Sequence, residues 1–255
     1  MTESEQPRAT GIDDAGIDAP GIGAAGIGAV GILGAGRVGI ALARLARNAS
    51  LEVLIAGSGA PENIAAGIAI EAPGAIATTA EEAAARADIV ILAVPLPKFR
   101  TLPASALEGK LVIDAMNYWW ELDGLRPEFS DPRTSTSEMV QAFLADSRVV
   151  KSMNHASLWE LENLARPQED SERRALAVAG DDPDDVARAS ALVDTLGFDP
   201  VPAGPLANGV MFEPGTDAFG ADATAPELRT MLNRFWSSQR GLVVARERDR
   251  PASKC

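Results

Sequence analysis

The segment Gly34-Ala35-Gly36-Arg37-Val38-Gly39 restricts the fold more than any other feature of this 255-residue chain. It follows an apolar run, residues 28–33, that reads as a strand. It opens a stretch over 38–48 with Val38, Leu42 and Leu45 on one face and Arg44 and Arg47 outside it. Strand, glycine turn and amphipathic helix, in that order, begin a doubly wound α/β sheet. The bare G-x-G-x-x-G spacing is weak, since residues 21–26 and 26–31 also match it. Neither of those follows a strand and opens an amphipathic helix. At the third match each glycine has a task. Gly34 permits the tight turn, Gly36 lets the backbone approach a pyrophosphate, and Gly39 lets helix and strand pack closely. The N–H groups at the helix start, aided by its dipole, then face the phosphates. The bland alternative is a glycine turn that binds nothing.

Further strands are expected over 51–56, 75–78, 88–94, 111–116 and 148–152. Helical patterns lie between them, from about Pro61, over 79–87, near 103–107 and over 135–144. Strand runs without polar alternation, separated by helices, imply a parallel sheet covered on both faces. A Rossmann dinucleotide-binding domain is therefore expected over 27–155, with an αβ extension over 156–245. In the extension, 175–179 reads as a strand. Asp182-Pro183 reads as an N-cap followed by proline at the first helical position. Gly197 suits that helix's end. A last strand over 200–203 and one helix over 225–244 complete the pattern. Residues 1–26, where Gly-Ile recurs without helical or strand period, read as a disordered Gly/Ala-rich tail, and 246–255 as a charged tail.

Composition bears mainly on what the chain avoids. A net charge of −13 argues against nonspecific binding to nucleic acid or anionic lipid. No apolar run reaches the roughly 18 residues of a membrane span without glycine breaks. The start, Met1-Thr2-Glu3-Ser4-Glu5, lacks the basic region of a secretory signal. The one cysteine, Cys255, excludes an intramolecular disulfide, which fits a reducing cytoplasm. One His and one Cys, 100 positions apart, give no metal cluster. The expected partners are small-molecule cofactors, with no nucleic acid and no membrane, and a homodimer stays open.

An NAD site would place Asp or Glu near the end of the second strand, on the ribose 2′-OH. Here that strand ends Ile55-Ala56-Gly57-Ser58-Gly59, and Glu52 stands at the wrong end. No carboxylate would repel a 2′-phosphate, and Ser58 can donate to one, so NADP(H) is the expected cofactor. Arg37 either supplies charge beside the adenosine pocket or is a solvated side chain.

Five segments together carry a resemblance: Gly-Ile-Leu-Gly-Ala-Gly-Arg-Val-Gly at 31–39, Ile-Ala-Gly-Ser at 55–58, Ala-Asp-Ile-Val-Ile-Leu-Ala-Val-Pro at 87–95, Val-Ile-Asp-Ala-Met-Asn at 112–117, and Val-Val-Lys-Ser-Met-Asn at 149–154. Over about 29–220 the chain resembles the NADP reductases that depend on the deazaflavin coenzyme F420. Two departures stand out. Ser58-Gly59 replaces the family's Ser-Arg, and 118–133 is longer than in the archaeal enzymes. The turn and the end of the second strand give the expected cofactor contacts Gly34, Ala35, Gly36, Arg37, Val38, Gly39, Ser58 and Gly59. The resemblance places Val94, Pro95, Asn117 and Asn154 at the nicotinamide end. Each Asn either bonds the carboxamide or ribose, or caps the segment that follows. Tyr118-Trp119-Trp120 either stack on a deazaflavin or flavin ring or cover the sheet edge. His155 is either a proton donor or a structural hydrogen-bonding residue. The implied reaction is hydride transfer between NADP(H) and a deazaflavin or flavin acceptor. The rivals are an NADPH-dependent reductase of a small carbonyl or imine, with His155, Tyr118 or Lys151 as proton donor, and an NADP-binding redox sensor without turnover.

Overall fold

A computed structural model describes residues 26–129, 131 and 134–248. The tail expected over 1–26, apart from Gly26, lies outside the described residues, as does the chain end from 249 on, including Cys255. Within them one sheet is built from β1 (Ala29–Leu33), β2 (Glu52–Ala56), β3 (Ile76–Ala77), β4 (Ile89–Leu92), β5 (Leu111–Asp114), β6 (Arg148–Lys151), β7 (Ala175–Gly180) and β8 (Asp199–Gly204). The spatial order is β3-β2-β1-β4-β5-β6-β7-β8. Neighbours run parallel except β6 and β7. Val30 pairs with Val53 on one side and Ile89 on the other, and Ile32 with Ile55 and Ile91. These strands are buried on both faces, which is why their apolar runs show no alternation. The chain crosses from β1 to β2 in one direction and from β3 back to β4 in the other. That switch leaves a crevice beyond the carboxyl ends of β1 and β4.

The helices are α1 (Arg37–Asn48), α2 (Glu62–Glu71), α3 (Ala80–Arg86), α4 (Trp120–Asp123), α5 (Thr136–Phe143), α6 (Leu158–Asn163), α7 (Pro183–Thr195), α8 (Ala225–Arg234) and α9 (Gln239–Arg248). Leu42 of α1 and Leu192 of α7 join Ile32, Ile55, Ile91 and Ile113 on one face of the sheet. Ala83 of α3 and Val140 of α5 cover Leu54, Val90 and Val112 on the other. Phe212, Leu228, Leu232 and Phe235 form a further cluster over β7 and β8. No helix among the described residues is long and apolar enough to cross a membrane.

Four local expectations change. The strand expected over 88–94 spans only Ile89–Leu92; just before it, the Asp88 carboxylate accepts the Gly28 and Ala29 N–H groups at 2.8 and 3.0 Å and pins the start of β1. The helix near 103–107 is a 3-10 turn, Ala104–Leu107, and a second such turn, Leu96–Thr101, precedes it. The single helix expected over 225–244 is two. Ser238 is extended, and its Oγ accepts the Gly241 N–H at 3.0 Å, as an N-cap does. At Gly241 a Cβ would overlap the Phe235 carbonyl, so only glycine fits this break. The extension adds its strands to the same sheet, with β7 antiparallel to β6.

Candidate active site

β1 ends in the turn. The Gly34 N–H donates to the Ala56 carbonyl at 2.8 Å, which ties the turn to the end of β2. Gly34 has φ +127°, and a Cβ there would overlap the Ala93 carbonyl. A Cβ at Gly39 would overlap the Gly34 carbonyl. At Gly36 an added Cβ would meet nothing within 4 Å. Two of these glycines are therefore demanded by the protein's own packing, and the third leaves open space above the turn. Gly36 is the N-cap of the 12-residue α1, and neither a side-chain cap nor an acidic first-turn residue satisfies its leading N–H groups. The helix dipole adds partial positive charge at that end. Open space over N–H groups that lack side-chain acceptors fits a dinucleotide pyrophosphate.

A cavity of about 990 Å³ opens from this turn. One wall is the end of β2, residues 56–60, with Ile64 of α2. Thr79, Ala80 and Glu81 close it at the start of α3. The opposite wall is residues 93–95, Lys98 and 101–103 after β4. Gly34, Ala35, Gly36, Ser58, Gly59, Val94 and Pro95 all meet here. Val38 packs against the core and Gly39 is buried inside the turn, so both shape the turn without lining the cavity. Arg37 is exposed and is not part of the lining. Thr79, Glu81, Lys98 and Thr101 line the cavity without having been picked out in the sequence. Their signal was their place, just beyond the carboxyl ends of β3 and β4, where ligands of such sheets bind.

Asn117 and Asn154 come together beyond β5 and β6, outside this cavity. The Asn117 amide donates to the Asn154 carbonyl at 2.6 Å. The Asn154 amide donates to Asn117 Oδ1 at 3.0 Å and to the Phe212 carbonyl at 2.9 Å. Asn154 Oδ1 is buried and has no hydrogen-bond partner among the described residues. Beneath the pair lies Lys151, fully buried, with Nζ 3.4 Å from Asp114 Oδ2 and donating to the Met116 carbonyl at 3.1 Å. Asp114 also accepts from Ser137 Oγ at 2.5 Å and from the Met116 N–H at 2.9 Å. The two charged residues sit opposite each other in register at the ends of apolar strands, which was the available sequence signal.

His155 is buried, and its Nε2 accepts the Ala177 N–H at 2.8 Å. Phe212 meets the ring edge-on at 5.6 Å. Burial lowers its pKa to about 4, with the Ala218 backbone offsetting part of this and the Lys151 charge adding to it. The ring is neutral at ordinary pH and fastens β7. The Tyr118 hydroxyl donates to the Gly124 carbonyl at 2.7 Å and accepts the Arg126 N–H at 2.8 Å, closing its own loop. Trp119 packs edge-on against Phe219 at 5.3 Å, and both Trp119 and Trp120 are exposed beyond β5.

Residues 29–118 match the model of the family described as "NADP oxidoreductase coenzyme F420-dependent". The hypothetical protein SMa0349 of Sinorhizobium meliloti superposes with a TM-score of 0.66 at 26% identity, over 76% of this chain and 93% of that one. A protein of Arthrobacter sp. FB24, proposed as an F420-dependent NADP reductase, gives 0.62 at 22%, over 83% and 94%. The 3-hydroxyisobutyrate dehydrogenase of Mycobacterium tuberculosis gives 0.53 at 17%, over 72% and 57%. These last two show the shared fold. No curated protein matches the chain. The stretch 29–118 that matches this family model holds the glycine turn and the strands β1 to β5 that border the crevice.

Proposed function

We propose that this protein is an oxidoreductase that moves a hydride between NADP(H) and a deazaflavin or flavin acceptor. The observation that carries the reading is the cavity running from the Gly34–Gly36 turn to Ser58, with no carboxylate at the end of β2. Bound there, NADPH supplies a hydride from its nicotinamide ring. The chain's own part is to bind, orient and exclude water. The turn and the start of α1 hold the pyrophosphate, Ser58 and Gly59 face the adenosine half, and Val94-Pro95 direct the rest toward β5 and β6. Trp119 and Trp120 offer exposed flat surface at that end for an aromatic acceptor.

The state of the proton donors supports transfer between two cofactors over reduction of a carbonyl or imine. His155 is buried and does not line the cavity, Lys151 is buried against Asp114 and the Met116 carbonyl, and the Tyr118 hydroxyl is engaged within its loop. Hydride exchange between two ring systems needs little acid–base chemistry from the protein. The test is NADPH oxidation followed optically with F420, with free flavin, and with a panel of small carbonyls and imines. Turnover with F420 or flavin is expected. Turnover confined to carbonyls or imines, or tight NADPH binding with no turnover at all, would overturn this reading.

A further inference from the structure

The 2′-phosphate of NADP carries about two negative charges and ordinarily meets a cation. The end of β2 offers Ala56-Gly57-Ser58-Gly59-Ala60, with no cation in it. Arg37 is exposed and stands outside the cavity lining. Among the described residues that line the cavity, Lys98 is the one cation. It comes from the wall that faces Ser58.

Lys98 is set on a firm base. It lies within the 3-10 turn Leu96–Thr101, whose neighbouring side chains Leu96 and Phe99 are 0% and 1% exposed. The turn is closed at both ends. The Lys98 N–H donates to the Pro95 carbonyl at 2.8 Å, and Thr101 Oγ1 donates to the Lys98 carbonyl at 2.8 Å. The adjacent Arg100 is occupied, with its guanidinium 4.6 Å from the centre of the Phe99 ring. Lys98 takes part in none of the ion pairs among the described residues. Glu81 lines the same cavity from α3 and is not paired with it. An exposed ammonium with no partner, on a fixed turn, is open to whatever enters.

We propose that Lys98, which lines the same cavity as Ser58, recognises the 2′-phosphate of the dinucleotide and sets its preference for NADP(H) over NAD(H). This rests on the NADP reading above. The pyrophosphate is served by the N–H groups of the turn and α1, on another wall. Lys98 lines the cavity together with Thr79, Glu81 and Ser58.

The test measures dissociation constants for NADPH, NADH and 2′,5′-ADP, by fluorescence or calorimetry, on wild type, Lys98→Gln, Lys98→Arg and Arg37→Gln. Melting temperatures check that each variant is folded. Wild type should prefer NADPH. Lys98→Gln should weaken NADPH and 2′,5′-ADP roughly tenfold, from the loss of one charge-assisted contact, and leave NADH within about twofold. Lys98→Arg should keep the preference, and Arg37→Gln should not change it. Equal weakening of NADPH and NADH in Lys98→Gln, no weakening, or a preference that follows Arg37 would overturn the assignment while the cofactor reading stands. A wild type that prefers NADH would overturn both, and would point to Glu81 as the carboxylate holding a ribose diol.

Discussion

Gly36→Val separates binding from folding at the turn. The Gly36 backbone, at φ −86° and ψ −176°, is one that any residue can adopt, and its Cβ position is empty out to 4 Å. A side chain there strains nothing in the protein alone. The penalty on folding is limited to a poorer N-cap, up to about 1 kcal/mol. In the complex the same side chain occupies the space through which the pyrophosphate approaches the leading N–H groups of α1. Losing one charge-assisted hydrogen bond of about 2 kcal/mol weakens NADPH about thirtyfold. NADH should weaken by the same factor, because both carry the pyrophosphate. The assay pairs a dissociation constant for each nucleotide with a urea-unfolding curve. Gly34→Val is the contrast. Its φ of +127° and its overlap with Ala93 act on the folded state itself, so it should lose stability first. A folded Gly36→Val protein that binds both nucleotides as wild type does would show that the phosphates lie elsewhere.

Three further outcomes follow from the packing. His155 has a folded pKa of about 4 against an ordinary 6.5. Its contribution is therefore complete above pH 6.5 and is lost as pH falls toward 4, by about 3 kcal/mol in all. Unfolding free energies of wild type and His155→Gln, measured from pH 7 to pH 4, should converge by that amount, and parallel curves would refute it. Lys151→Met leaves Asp114 buried without its counter-charge. It should destabilise by about 3 kcal/mol, the low end for a broken buried pair, because Ser137 and the Met116 N–H still serve the carboxylate. A loss under about 1 kcal/mol, read from urea unfolding, would show that the pair is dispensable. Asp182 accepts the Asp184 and Asp185 N–H groups at the start of α7, so Asp182→Ala should lower stability by about 1 kcal/mol in the same measurement; an unchanged midpoint would sink that estimate.

The sheet was legible because its strands are short, apolar and bounded by helices with local start and stop signals. Asp182-Pro183 does begin α7, and Gly197, at φ +97°, does follow its end. The break in the last helix was not legible. Trp236-Ser237-Ser238 continues an acceptable helical pattern, and the cap that interrupts it depends on how Phe235 packs. The antiparallel entry of β7 was hidden for a related reason, since a strand's direction is decided by where its partner lies. At the turn, the positive φ of Gly34 and the close packing at Gly39 were readable from the pattern alone. The pairing of Asn117 with Asn154 was not, because their separation of 37 positions carries no local signal. Lys98 was passed over because a lysine after a Pro-Leu-Pro run looks like any solvated charge until the opposite wall of the cavity is known.

The antiparallel join between β6 and β7 also governs how the chain can be divided. A cut near residue 155 would leave β6 as an open edge, with a row of backbone donors and acceptors facing water. It would also remove the Phe212 carbonyl that receives the Asn154 amide and the Ala177 N–H that holds His155. The dinucleotide-binding half released alone would be adhesive, ready to add a strand from another copy of itself. Shortened versions made for crystallisation or fusion should therefore keep at least β7 and β8, or carry a lysine or proline on the exposed edge of β6.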